Sequence, residues 1–344
     1  MKKILLVNLI VFISIIIIIL FLNFIELYKI INNPVLDERY IKANLKFNFN
    51  EKYGYDLKPE NIFKDTNDIV YFTDVLNNRY EGYKKYNLQS SQTKNIHIIG
   101  CSQAFGQGVV YKKTFSGLLK NKYELNTINY SVSGFGTTGA FLKLFNKVNS
   151  FRKGDYVVYL FWDDHLNRNI TNCLESALPI CINRPIASLD NNNIIINIDK
   201  NSKNPFDQIN DLLNYSKKKY SLMYTPDYIL YKLNKIFSRN KFLDNENYKK
   251  KIFKAIISKY NKEINAQESK TLVIYLPNYL NIESMKPLDN DLKIYFDQNS
   301  IEYIDLYKNI KNLNNQKIRL NDGHISETVH GIIAYEINAK ISKN

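Results

Sequence analysis

The chain has little glycine, proline or cysteine: 12, 8 and 3 of 344 residues, with 4 histidines and a single tryptophan. The shortage runs evenly from end to end beside an abundance of Ile, Asn, Lys and Tyr, so it reads as a coding habit and not a functional signal. The missing motifs exclude more. No Gly-Lys-Ser/Thr follows a glycine turn, which excludes a P-loop. Gly106-Gln107-Gly108 does not extend into a dinucleotide fingerprint. No zinc-finger spacing of His and Cys is present. No internal repeat is present, and neither a basic zipper nor an aromatic-basic stacking motif appears. The net charge of +14 is spread over single lysines and short runs such as Lys217-Lys218-Lys219 and Lys249-Lys250-Lys251. It therefore reads as a solvated basic surface and not as a nucleic-acid site, with contact to anionic lipid or acidic glycan left open.

What is present is a folded chain. Hydrophobic residues make up 45% and charged residues 23%, and the length suits one large domain or two ordinary ones. Lys2 and Lys3 precede an apolar run over residues 4–25 broken by Asn8, Ser14 and Asn23. Roughly 22 residues at about 1.5 Å rise span ~33 Å, enough for a hydrocarbon core. A cleaved signal peptide would end in small residues, and Asn23-Phe24-Ile25-Glu26 offers none. The expectation is a retained signal anchor (1–25), with the body outside the cytoplasm on the periplasmic or cell-surface side. Cys173 and Cys181 lie close in a loop-like segment and suit a disulfide in an oxidising compartment, two free thiols being the alternative.

Residues 26–90 are polar and read as a stalk plus a lead-in strand at 68–73 packed on the main domain. From 91 to 344 strands and helices alternate. Strands are expected at 95–100, 127–132, 155–162, 270–277 and 301–306, with helices near 114–122, 138–148 and 329–341. This alternation predicts an α/β domain with a parallel central sheet. About a hundred residues (166–266) separate the third strand from the fourth, too many for one crossover. They are expected to form an insertion beside the active face, with a hairpin around Asn191-Asn192-Asn193 and helices near 205–219, 226–238 and 246–264.

Ligands of open parallel sheets bind beyond the carboxyl ends of the strands. At the first such end, Gly100-Cys101-Ser102 places a serine just after a strand among glycines, where its hydroxyl is exposed and its N–H can serve an oxyanion. It is not a Gly-x-Ser-x-Gly elbow, because Ala104 replaces the second glycine. Near the C-terminus Asp322-Gly323-His324 suits a base oriented by a carboxylate, with His330 as a packing residue or a rival base. Asp163, Asp164 and His165 follow the third strand; half of a metal site is conceivable there, but a structural or substrate-contacting role is preferred. His97, inside the first strand, reads as a core histidine.

These blocks resemble the SGNH/GDSL hydrolase family over roughly residues 94–340. Gly100-Cys101-Ser102 through Phe105-Gly106 and Gly108 is similar to the family's first block, with Ser102 as nucleophile. Asn129 to Gly134 is similar to the second, in which the glycine N–H joins the Ser102 N–H in the oxyanion hole. Asp163 falls at the position of the usual oxyanion-hole Asn, where a carboxylate would repel developing negative charge. Asp322 and His324 match the block that completes the triad. The resemblance implies a flavodoxin-like three-layer fold, no cofactor, and ester hydrolysis or acyl transfer. Location then suggests O-acyl groups on cell-surface glycan as substrate. An O-acetyltransferase of a polysaccharide pathway and a catalytically weak glycan-binding relative are the alternatives.

Overall fold

The computed structural model describes residues 8–18, 20–21, 46–64, 68–82, 94–171, 184–191, 193–198, 245–280 and 282–343. The expected disulfide pair, Cys173 and Cys181, and the helices expected near 205–219 and 226–238 lie outside the described residues. So does part of the apolar N-terminal run. Its described portion, 8–18 and 20–21, is helical with Leu9, Phe12, Ile17 and Phe21 exposed. Among the described residues no helix is long and apolar enough to cross a membrane.

The central sheet grows from short apolar segments of period two. In chain order the strands are β1 (Phe47–Asn50), β2 (Gly54–Leu57), β3 (Ile62–Lys64), β4 (Val70–Thr73), β5 (Arg79–Tyr80), β6 (Asn95–Ile99), β7 (Asn126–Asn129), β8 (Tyr156–Phe161), β9 (Ile186–Asp190), β10 (Asn193–Asn197), β11 (Lys270–Tyr275) and β12 (Glu302–Asp305). The eight-stranded sheet runs β12-β11-β8-β6-β7-β5-β4-β3. Strands β7, β6, β8, β11 and β12 are mutually parallel. Numbered along the chain, they lie in the spatial order 2-1-3-4-5, a doubly wound arrangement whose order reverses beside β6. The chain is thus a mixed α/β protein with a mostly parallel sheet.

The helices are α1 (Ser102–Phe105), α2 (Phe115–Asn121), α3 (Thr137–Lys147), α4 (Asp164–Arg168), α5 (Glu246–Asn265), α6 (Asn290–Gln298), α7 (Tyr307–Ile310), α8 (Asn315–Ile318) and α9 (Glu327–Ile341). Alternate strand residues feed two cores. Ile96, Ile98, Val158, Leu160 and Ile274 pack with Phe115 of α2 and Val329 and Ile333 of α9. Val157, Tyr159, Phe161, Val273 and Tyr275 pack on the other face with Phe141 of α3 and Phe253 and Ile257 of α5. Side chains of successive residues point to opposite faces of a strand, so one apolar run serves both layers.

Two segments differ from the reading of the sequence. Residues 46–82 do not stand apart as a stalk. Strands β5, β4 and β3 extend the sheet beyond β7, each antiparallel to the strand before it. The β1–β2 hairpin adds Phe47, Tyr53, Tyr55 and Leu57 to a third core that includes Phe105, Val132 and Phe135. This segment is therefore the floor under the loops after β6 and β7. Its buried anchor is Asp56, 2.7 Å from Lys143 Nζ of α3. The same carboxylate accepts from Tyr53 Oη (2.7 Å) and Asn77 Nδ2 (2.9 Å).

The stretch 166–266 is likewise not all insertion. Its last residues form α5, whose Ile252, Phe253, Ile256 and Ile257 are sealed against the sheet, completing the crossover from β8 to β11. The hairpin expected around Asn191 is present as β9–β10 and docks through Ala187 N–H, which donates to Asn169 O at 2.6 Å.

Candidate active site

Ser102 sits where β6 leaves the middle of the sheet. Gly100 makes the exit feasible: its φ is +151°, and a Cβ there would lie 2.7 Å from Ala104 Cβ and 3.1 Å from Leu160 O. The serine is the first residue of the single-turn α1 and is 9% exposed. Arg79 of β5 braces the far end of this turn. Its guanidinium donates to the carbonyls of Phe105, Gly106 (2.6 Å) and Val109 and lies 4.8 Å from the Tyr71 and Phe105 ring centres. A cation at the C-terminal carbonyls of a helical turn is favourably placed.

The second element is the loop after β7. Asn129 Nδ2 donates to Ala104 O (2.9 Å) while its Oδ1 accepts Ser131 N–H (3.0 Å), and Val132 N–H donates to Gly100 O (3.2 Å). The loop is stitched to the Ser102 turn again by Ser133 Oγ, 3.0 Å from Gln107 Oε1. Gly136 admits α4 closely: a Cβ there would meet Arg168 Cβ at 2.8 Å and Asn169 Oδ1 at 2.9 Å. Among the described residues, neither the Ser102 nor the Gly134 backbone N–H is spent on another acceptor.

The third element, the Asp322–His324 turn, meets the first through Gln103. Gln103 Oε1 accepts the Ile325 N–H at 3.0 Å, and its Nε2 donates to Tyr279 Oη, which in turn donates to Gly323 O at 2.9 Å. The residues flanking Ser102 and His324 are therefore bonded to each other although more than two hundred positions apart. His324 Nδ1 is 3.1 Å from Asp322 Oδ2, without the alignment of a full hydrogen bond, and His324 N–H donates to Asp322 Oδ1 at 3.1 Å. No hydrogen bond joins Ser102 Oγ to His324 among the described residues. Catalytic hydrogen bonds are often long before substrate binds.

Asp163 does not face this cluster through its carboxylate, which accepts from Tyr275 Oη at 3.1 and 3.2 Å on the opposite face of the sheet. Burial first, then the charges of Glu246 and Asp289, push its pKa up against the opposing hydrogen bond from Tyr275. Asp164 pairs with Arg168, Oδ2 to Nε 2.5 Å. His165 is sealed: its Nδ1 lies 2.6 Å from Tyr159 Oη, which donates to Thr137 Oγ1 at 2.9 Å. Burial and the neighbouring arginines hold its pKa well below the usual histidine value, so it is a neutral core residue and not a substrate contact. His330 is also sealed. Its Nδ1 accepts the Phe115 N–H at 3.3 Å, and burial brings its pKa down to about 3, which leaves no role as a rival base. His97 is buried with Nε2 3.3 Å from Asp155 Oδ2. Among the described residues no group of three or more His, Cys, Asp or Glu is disposed to hold a metal ion.

Reading the sequence missed three arginines that converge here: Arg79 under the Ser102 turn, and Arg168 and Arg184 on the carbonyls of Phe135 and Gly134. Only the i,i+4 spacing of Asp164 and Arg168 signalled any of them.

No family model and no curated protein matches the chain. Solved structures similar to it include a lipolytic protein and an esterase. A lipolytic protein of the G-D-S-L family from Desulfitobacterium hafniense DCB-2 has 9% identity and a TM-score of 0.38, over 72% of this chain and 99% of that one. TesA has 10% identity and a TM-score of 0.35, over 71% and 96%. The esterase EstA from Pseudoalteromonas sp. has 14% identity and a TM-score of 0.37, over 73% and 97%. At these scores the likeness carries no argument about activity.

Proposed function

We propose that the chain is a serine esterase of SGNH type on a flavodoxin-like domain, with Ser102 as nucleophile, His324 as base and Asp322 as the carboxylate that orients it. The observation that supports this most is the Gln103 link. It docks the Asp322–His324 turn against the serine turn while the N–H groups of Ser102 and Gly134 stay unspent. In the mechanism, His324 takes the Ser102 proton as the hydroxyl oxygen attacks the ester carbonyl. The two N–H groups receive the charge on the carbonyl oxygen. The alcohol leaves with the proton from His324. Water, activated by the same imidazole, then releases the acid and restores the serine. Deflection of Asp163 onto Tyr275 removes a carboxylate from the path of the oxyanion.

The substrate class proposed is O-acetylated cell-surface glycan, met by a body held at the membrane through the apolar N-terminal helix. A sugar hydroxyl in place of water would make the protein an O-acetyltransferase, and product analysis with and without acceptor glycan separates the two. The direct test is hydrolysis of p-nitrophenyl acetate. Ser102→Ala and His324→Ala are each expected to lower kcat by at least about a thousandfold. Loss below tenfold in either variant would sink the assignment.

A further inference from the structure

Two guanidinium groups are buried against the loop that supplies Gly134. Arg184 is 2% exposed, and its Nη1 donates to Gly134 O at 3.1 Å. Its Nε and Nη2 are buried and, among the described residues, meet no acceptor. Arg168 lies beside it, with Nη1 donating to Phe135 O at 3.2 Å and the guanidinium 5.5 Å from the Trp162 ring centre. The β9–β10 hairpin sets Arg184 here, since Ala187 fastens the hairpin to Asn169 directly after α4. Asp164 forms its ion pair with Arg168 and its charge also reaches Arg184, but among the described residues no carboxylate is bonded to Arg184. Burial, and then the like charge of Arg168, lower the Arg184 pKa to about 10, so it remains charged at neutral pH. The loop they hold lies against the Ser102 turn: Ser133 Oγ, next to Gly134, is 3.0 Å from Gln107 Oε1, and Gln107 N–H donates to Ser102 O at 3.0 Å.

A buried cation with unmade donors is expensive unless an anion completes it. The guanidinium fork matches a carboxylate in shape and charge. Arg79 is a contrast: its guanidinium is engaged by three backbone carbonyls.

We propose that Arg184, supported by Arg168, forms an anion subsite adjoining Ser102, so that the ester cleaved is carried on a carboxylate-bearing sugar and not on a neutral one. This rests on the esterase reading above. Arg184 serves as a specificity residue, binding the carboxylate while the Ser102 centre acts on the acyl group.

The test uses the full chain. Ser102→Ala protein is titrated with glucuronate and with glucose, and the active protein is assayed on O-acetylated glucuronic acid and O-acetylated glucose. Glucuronate is expected to bind and glucose not. Arg184→Met should weaken glucuronate binding roughly tenfold to a hundredfold, a charge-assisted bond's share. It should lower kcat/KM for the acidic ester at least about tenfold more than for the neutral ester. Arg184→Lys keeps the charge and should retain part of the preference, which guards against a folding defect in Arg184→Met. Absence of glucuronate binding to Ser102→Ala overturns the proposal. So does equal loss on both esters in Arg184→Met, which would assign Arg184 to the oxyanion or to holding Gly134. Arg184-dependent glucuronate binding by a protein that hydrolyses no ester would refute the esterase reading and leave the subsite standing.

Discussion

Replacing Asp56 by alanine tests whether the segment before residue 90 belongs to the domain that carries the site. Lys143 is wholly buried in α3, with its ammonium 2.7 Å from Asp56 Oδ1 and 2.8 Å from Asn77 O. Burial already pulls the Lys143 pKa down against the pull of Asp56. Removing the carboxylate leaves that ammonium with one neutral acceptor. It also strips the Tyr53 hydroxyl and the Asn77 amide of theirs. Breaking a buried pair from one side costs about 3–5 kcal/mol. Set against a total of roughly 5–15 kcal/mol for a folded domain, that is a large share. Urea unfolding followed by the fluorescence of Trp162, the only tryptophan, reads the change. The double variant Asp56→Asn/Lys143→Met removes the stranded charge and keeps an acceptor for Tyr53, so it should recover most of the loss. A cost below about 1 kcal/mol for Asp56→Ala would refute the reasoning. It would mean that residues 46–82 are loosely held.

Three further outcomes follow from the same contacts. His165 and His330 are neutral in the fold with lowered pKa values, whereas an unfolded histidine titrates near 6.5. The unfolded chain therefore binds protons first. Their contribution is intact above about pH 6.5 and declines as pH falls toward about 3 for His330, by roughly 1.4 kcal/mol per pH unit for each residue. Melting curves from pH 7 to 4 should show this slope, and His330→Asn should flatten it; an unchanged slope in that variant would contradict the assignment. Asp163→Asn should leave ester hydrolysis within about threefold, because the carboxylate is turned toward Tyr275; a gain of about 10²–10³ would instead place residue 163 in the oxyanion hole. Gly100→Ala should cost stability and hydrolysis together, since its Cβ would meet Ala104 and the Leu160 carbonyl; a variant as stable and active as the parent would show that the Ser102 turn is looser than described.

Strands β6, β8 and β11 were legible because each is a mainly apolar run buried on both faces, with Gly100 or a polar turn marking the end. Strands β6, β7, β8, β11 and β12 fall within the residues expected or a residue of them. Of the N-terminal strands only β4 was read, within the expected 68–73, and the rest were missed for a physical reason. Antiparallel strands of two to four residues at a sheet edge draw on few apolar positions, and Asn and Lys diluted the alternating Phe47, Tyr53, Tyr55 and Leu57. The helix α6 was missed although Asp289 caps it and Leu292 and Phe296 are spaced for one face. Ser102, Asp322 and His324 stood out because their neighbours carry local turn chemistry. Arg79, Arg168 and Arg184 did not, since a long flexible side chain finds its carbonyl only once the tertiary fold exists. Asp163 shows the reverse limit: its position was readable, but the direction of its carboxylate depended on Tyr275, more than a hundred residues away.

The measurement that tests the central claim most directly is labelling with a fluorophosphonate, followed by peptide mass analysis. The account predicts one phosphonyl adduct on the peptide containing Ser102 and none in Ser102→Ala, with slowed labelling in His324→Ala. An unlabelled wild-type protein of intact fold, or an adduct mapped to another residue, would contradict it.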